Sequence, residues 1–235
     1  MTETTNPTTN EVVTPPTVVK KNKNYYETDD EYLLHVKVAI NNSNHAEIAP
    51  VLTTYGYSVT AINEGKALYE TAMALQKLQI KEYGEQYTAT EKLTQAITDA
   101  SGEYKKHVSI ANVAFRNQKG LLSEIAALGE RKKTQAAWIT QANTFYKNLM
   151  TKPDYITAMT QYGQTAALLT AAANKFKDVA DLYDARQTEA GEAQTATKAR
   201  DNAIADLDVW YNDYSDIAVI ALNEKPELLE ILGLK

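Results

Sequence analysis

Residues 58–117 read SVTAINEGKALYETAMALQKLQIKEYGEQYTATEKLTQAITDASGEYKKHVSIANVAFRN. The stretch has no proline, and its glycines are Gly65, Gly84 and Gly102. A heptad seam runs through it. One position takes Ile62, Tyr69, Gln76, Tyr83, Thr90, Ile97, Tyr104 and Ala111; the other takes Gly65, Ala72, Gln79, Gln86, Leu93, Ala100, His107 and Ala114. Both ends of the seam are apolar and the middle, from Gln76 to Thr90, is polar. Two structures fit: a hairpin turning near Gly84, or one helix roughly 90 Å long at 1.5 Å per residue. The heptad phase crosses the polar middle without a slip, which a turn would not require. A lone Gly costs a helix only about 1 kcal/mol. The spacing favours the continuous helix.

The chain states this stretch twice. At an offset of 107 residues, 53–122 and 160–229 share 19 identities in 70 ungapped positions. Among them are Tyr55-Gly56 with Tyr162-Gly163, and Glu82, Gly84 and Glu85 with Glu189, Gly191 and Glu192. Ala96-Ile97 pairs with Ala203-Ile204, and Leu121-Leu122 with Leu228-Leu229. In the second copy the seam takes Leu169, Phe176, Tyr183, Ala190, Thr197, Ile204, Tyr211 and Ala218, then Ala172, Val179, Arg186, Ala193, Arg200, Leu207, Tyr214 and Ala221. An internal repeat sets the architecture before any single motif does. The same choice, long helix or hairpin at Gly191, recurs over 165–222.

Shorter elements flank each long one. Tyr32, Leu33, Val36 and Ile40 predict a helix over 29–40, and 45–53 reads as a short helix despite Pro50. Gly56 supplies a positive φ at its end, and Ser58 is placed to cap the long segment. Trp138, Ile139, Ala142, Phe145, Tyr146 and Leu149 give 134–150 one apolar side. Leu121, Leu122, Ile125 and Leu128, then Leu228, Leu229, Ile231 and Leu232 behind Pro226, form short apolar caps. Ile97, Ile110, Ile204 and Ile217 are expected in the core. The fold class is therefore all-α: an elongated helical bundle of two tandem pseudo-symmetric repeats with long coiled-coil-like helices. The divisions are a flexible or docking N-terminal arm over 1–24, repeat 1 over 25–128 and repeat 2 over 129–235.

Composition agrees. Gly (9) and Pro (6) are too scarce in 235 residues for a turn-rich β protein. The net charge of −6 argues against a general nucleic-acid binder. With no cysteine there is no disulfide framework, thiolate metal site or cysteine nucleophile. The start lacks a basic region followed by an apolar core, so no secretory signal is seen and a cytoplasmic location is expected. No apolar run is long enough for a transmembrane helix. In the arm, Val12-Val13 and Val18-Val19 flank Pro15-Pro16, with Lys20, Lys21 and Lys23 behind them. Such an extended apolar arm could dock on a neighbouring molecule.

Chemistry is thinly supplied. A di-metal bundle uses Glu-x-x-His pairs; here Glu31 and His35, and Glu103 and His107, stand four apart. His45 has no evident partner. Phosphate-cradling, nucleophile-elbow and dinucleotide motifs are missing. Arg131-Lys132-Lys133, with Arg116 and Lys119, is the densest basic cluster and reads as a solvated helix start. No catalytic, cofactor-binding or metal residue is assigned, no cofactor is expected, and the protein is read as not an enzyme.

The ending Pro226-x-Leu228-Leu229-Glu230-x-Leu232-Gly233 comes after Ile217-Ala218-x-x-Ala221-Leu222, with Tyr162-Gly163 and Gly191-Glu192-Ala193-Gln194 upstream. This pattern resembles a group of bacterial tandem-repeat helical proteins with no known activity. The resemblance covers nearly the whole chain beyond the arm. It implies a fold and a bacterial source, and carries no functional residue. The first functional expectation is a structural or scaffolding protein that self-associates into oligomers or fibres. A binding or sensor module for a ligand or protein partner is the alternative, and a membrane-active bundle comes third.

Overall fold

The computed structural model describes residues 28–234, so the expectation for the 1–24 arm lies outside the described residues. Among the described residues there are eight helices and no strand. In chain order they are α1 (Asp29–Asn42), α2 (Ala49–Thr54), α3 (Val59–Ala114), α4 (Lys119–Glu124), α5 (Gln135–Leu149), α6 (Pro153–Thr160), α7 (Ala166–Ala221) and α8 (Pro226–Ile231). The all-helical expectation holds. Gly84 and Gly191 lie inside α3 and α7, each a single helix of 56 residues, so the hairpin alternative is excluded.

Packing divides the chain into two compact units. One takes residues 28–62 and 217–234; the other takes Asn63–Asp216. Each draws on both sequence halves, so packing units and sequence repeats are different divisions. α3 leaves the first unit after Ile62, and α7 re-enters it at Ile217.

In the first unit, α1 opens on a capping box. Thr28 Oγ1 accepts from the Glu31 N–H at 3.3 Å, and Glu31 Oε2 accepts from the Thr28 N–H at 2.8 Å. Asp29, Asp30 and Glu31 fill the first turn, where negative charge suits the helix dipole. Tyr32, Leu33, Val36, Ala39 and Ile40 are buried, at the predicted spacing. The second helix begins at Ala49, later than expected, with turns before it. Pro50 explains the delay: a proline fits only the first helical turn, where its missing N–H costs nothing. Ile48, Leu52, Ile62, Ala218, Leu222, Leu228, Leu229 and Leu232 complete the buried set. Asn42 Nδ2 donates to the Ile231 carbonyl at 2.6 Å, tying α1 to α8.

The second unit is built on α3 and α7 running antiparallel. Three contacts fix the direction: Gly65 lies against Trp210, Glu82 beside Glu189 and Glu192, and Glu103 bonds Lys175 at 2.8 Å. α4, α5 and α6 pack where α3 ends and α7 begins. The core there is aromatic. Tyr104 meets Trp138, Phe145 and Phe176 at centroid distances of 6.1, 5.6 and 5.4 Å. Each such pair adds about 0.5–1.5 kcal/mol beyond area burial. All six apolar residues predicted for α5 are buried.

The heptad register holds along α7, where every seam residue is buried or half-buried. It holds along α3 except at Tyr83 and Thr90, which are exposed while Glu82 and Ala89 are half-buried. A straight helix drifts by about 20° per heptad against a strict seven-residue repeat. With polar residues in the middle, little holds the seam to the partner. Ile204 is buried as expected, whereas Ile97, Ile110 and Ile217 are only half-buried.

Candidate functional site

Most of the ionisable pairs suggested by spacing turn out to be structural. Glu31 belongs to the capping box, whose backbone hydrogen bond holds its carboxyl below the usual range. His35 is exposed on α1. His45 Nδ1 accepts from the Glu47 N–H at 3.4 Å. Glu103 is taken by Lys175, and the guanidinium of Arg131 sits 4.1 Å from the Trp138 ring centroid. Arg131 is therefore a packing cation, in contrast to the wholly solvated reading of its cluster.

His107 faces the core with two partners. Its Nδ1 lies 2.9 Å from the Tyr146 hydroxyl and its Nε2 lies 3.1 Å from Gln164 Oε1. Gln164 Nε2 donates to the Tyr162 carbonyl at 3.1 Å, which turns its Oε1 toward the ring. The imidazole then carries its proton on Nε2, and Tyr146 donates to Nδ1. Burial lowers the His107 pKa and raises that of Tyr146 well above the usual phenol range. His107, Tyr146 and Gln164 are all buried, so the network joins α3, α5 and the turn after α6 without offering a substrate a way in.

The middle of the α3–α7 pair differs from the rest. Carboxylate oxygens of Glu82, Glu189 and Glu192 lie within 4.8 Å of one another. Glu189 Oε2 is buried with no hydrogen-bond partner. Lys81 pairs with Glu82 at 3.1 Å and with Glu85 at 2.6 Å. Sequence spacing on one helix could not show this group, since it is assembled from two. The clue was present in the repeat: Glu82 with Glu189, and Glu85 with Glu192, are among the identities at the 107-residue offset.

On the same stretch of α3, Ile80, Tyr83 and Tyr87 are 61%, 37% and 69% exposed. At i, i+3 and i+7 they share one face. Gly84 lies among them, with nothing within 4 Å of where its Cβ would stand. Near the other end of α3, a hollow of ≈ 320 Å³ is lined by Tyr104, Arg131 and Gln141 among others, at the lower limit for small-molecule sites. No helix among the described residues is long and apolar enough to cross a membrane.

Comparison with protein-family models, curated proteins and solved structures finds no match for this chain.

Proposed function

We propose that the protein is a non-enzymatic structural protein of two tandem helical repeats that self-associates through exposed helix faces. The duplication reading is supported by element bounds. α3 and α7 have equal length and start 107 residues apart, as do α4 and α8. Positive φ recurs at the same offset, at Gly56 and Gly163 and again at Ala126 and Gly233. Ala126 adopts in one copy the turn conformation that glycine provides in the other, so the backbone path outlasts a change of residue.

The observation that carries self-association is the exposed Ile80–Tyr83–Tyr87 stripe. Core positions in the long helices are held by small and half-polar residues, while three large apolar side chains face outward together. Contiguous exposed apolar surface of this kind marks contact with another molecule. Sedimentation velocity over a wide concentration range tests it. Concentration-dependent species are expected, and Tyr83→Ser with Tyr87→Ser should shift them toward monomer. A monomer at all concentrations refutes self-association and leaves the binding-module reading, which the hollow beside Tyr104, Arg131 and Gln141 favours.

A further inference from the structure

We propose that the outward face of α3 centred on Gly84 pairs two-fold with the same face of a second copy of this chain, the two α3 helices running antiparallel. The inference rests on the self-association reading and names the surface, its partner and the direction. Lys77, Ile80, Gly84, Tyr87 and Glu91 follow one another at intervals of 3, 4, 3 and 4 residues. That is the spacing of a coiled-coil seam. All five are exposed. The side of α3 that meets α7 lies opposite. Glu82 is turned to Glu189 and Glu192 there, and buried Leu93 stands half a turn from Gly84 at about 100° per residue. The long helix thus carries a second seam on its outer side, with no atom within 4 Å of where a Cβ at Gly84 would stand.

The order of side chains along this seam selects both partner and direction. Its two ends are opposite in charge, and its middle is apolar around the bare backbone of Gly84. Two copies laid antiparallel about Gly84 set Lys77 beside Glu91 of the second copy and Ile80 beside Tyr87 of the second copy. Each contact occurs twice, as a two-fold pairing requires. A parallel in-register pair would set Lys77 against Lys77 and Glu91 against Glu91, which repulsion opposes. Among the described residues neither Lys77 nor Glu91 has an ion-pair partner in its own chain. Ile80 and Tyr87, 61% and 69% exposed, would cover one another. Gly84 on the axis lets the two backbones approach closely. The competing surface is on α7, where the same offset gives Asp184, Gln187, Gly191, Gln194 and Lys198. Its charges suit Lys77 and Glu91 of a parallel neighbour, but Gln187 and Gln194 would leave Ile80 and Tyr87 against polar groups. Apolar contact therefore favours α3 with α3. Few residues meet, so the pair belongs with small, concentration-dependent interfaces.

The chain lacks cysteine, so directed cross-linking is clean. Full-length Gly84→Cys is oxidised mildly at high concentration and run on a non-reducing gel, with full-length Gly102→Cys, also exposed on α3, as the control. A disulfide needs Cα atoms within about 7 Å, so a covalent dimer is expected with Gly84→Cys and at least fivefold less with Gly102→Cys. Charge exchange then tests direction by sedimentation at low salt, with helical circular dichroism unchanged. Lys77→Glu alone and Glu91→Lys alone should each weaken self-association at least threefold, and the double exchange should restore it to within twofold. Self-association without a selective Gly84→Cys dimer overturns the two-fold assignment and leaves assembly through another face. A double exchange weaker than either single one, together with a heterodimer between Gly84→Cys and Gly191→Cys chains, overturns it in favour of α3 on α7. A full chain that is monomeric at all concentrations overturns both this proposal and the self-association reading.

Discussion

Gly65 is where the packing of the second unit can be tested most sharply. Replacing a glycine inside a helix by alanine normally stabilises by about 1 kcal/mol. Gly84, Gly102 and Gly191 should show this gain, because nothing lies within 4 Å of a Cβ added there. At Gly65 the same Cβ would stand 2.1–2.3 Å from three ring carbons of Trp210. Ordinary contact needs more than 1 Å of further separation, so the indole has to move. It lies stacked on Tyr214, centroid 5.1 Å away and planes 8° apart, and Tyr214 is fully buried. Overpacking costs about 1–3 kcal/mol, so after the propensity gain Gly65→Ala should lose about 0–2 kcal/mol. The contrast with Gly84→Ala is then about 1–3 kcal/mol. Urea denaturation monitored by circular dichroism reads it as midpoints moving in opposite directions, or at least well separated. Adding Trp210→Leu should bring back the alanine gain at position 65 as a non-additive coupling. Equal stabilisation by Gly65→Ala and Gly84→Ala would refute the Gly65–Trp210 contact, and with it the antiparallel register at that end.

Single residues elsewhere carry further consequences. Ala126 has φ of +54°, a region that costs a side-chain-bearing residue about 1 kcal/mol; Ala126→Gly should raise the unfolding free energy measured in urea by about 0.5–1 kcal/mol, and a fall would mean the turn is not strained. Burial, the largest cause, lowers the folded pKa of His107 below its ordinary value near 6.5. Between these two values the unfolded chain binds more protons, so the His107 contribution is complete above about pH 6.5 and is lost as pH falls toward the folded value. The slope of stability between pH 7.5 and 5 should be shallower in His107→Gln, and an unchanged slope would sink the assignment. Glu189→Gln removes one of three clustered carboxylates and should stabilise by about 1 kcal/mol at low salt, less at 1 M. If stability instead falls, and EDTA lowers it in the parent chain, a divalent cation holds the three glutamates together.

The long helices were legible because a packed seam leaves a periodic record over many turns. Ile62, Gly65, Ala72 and Tyr104 fall on one face whether or not the partner is known. The turns were legible where one residue type has a conformational monopoly, as at Gly56 and Gly163. Ala126 was not, because alanine in that conformation is set by the backbone around it. The late start of α2 could have been read from Pro50 alone, since the proline's missing N–H fixes where a helix may begin. Tyr83 and Thr90 escaped the seam because heptad counting assumes supercoiling, and a polar middle has little apolar contact to impose it.

What was least legible lies at that same middle. Glu82 on α3 and Glu189 on α7 are ordinary surface acids when each helix is read alone. Only an antiparallel pairing of duplicated helices sets a residue beside its own repeat counterpart, and it can do so only near the midpoint. There the duplication concentrates whatever charge the repeat carries, which for this chain is glutamate. A site of this origin burdens the fold with like charges, and the polar residues from Gln76 to Thr90 do little to offset them by packing. Stability in this stretch is consequently the most open to an outside cation, and the exposed Ile80–Tyr83–Tyr87 stripe lies on the same turns of α3. Self-association and local stability should then be coupled: raising protein concentration should protect the backbone amides around Gly84 and Gly191 more than those around Ala142. Hydrogen exchange at two concentrations measures this directly, and equal protection at both sites would separate the acidic midpoint from assembly.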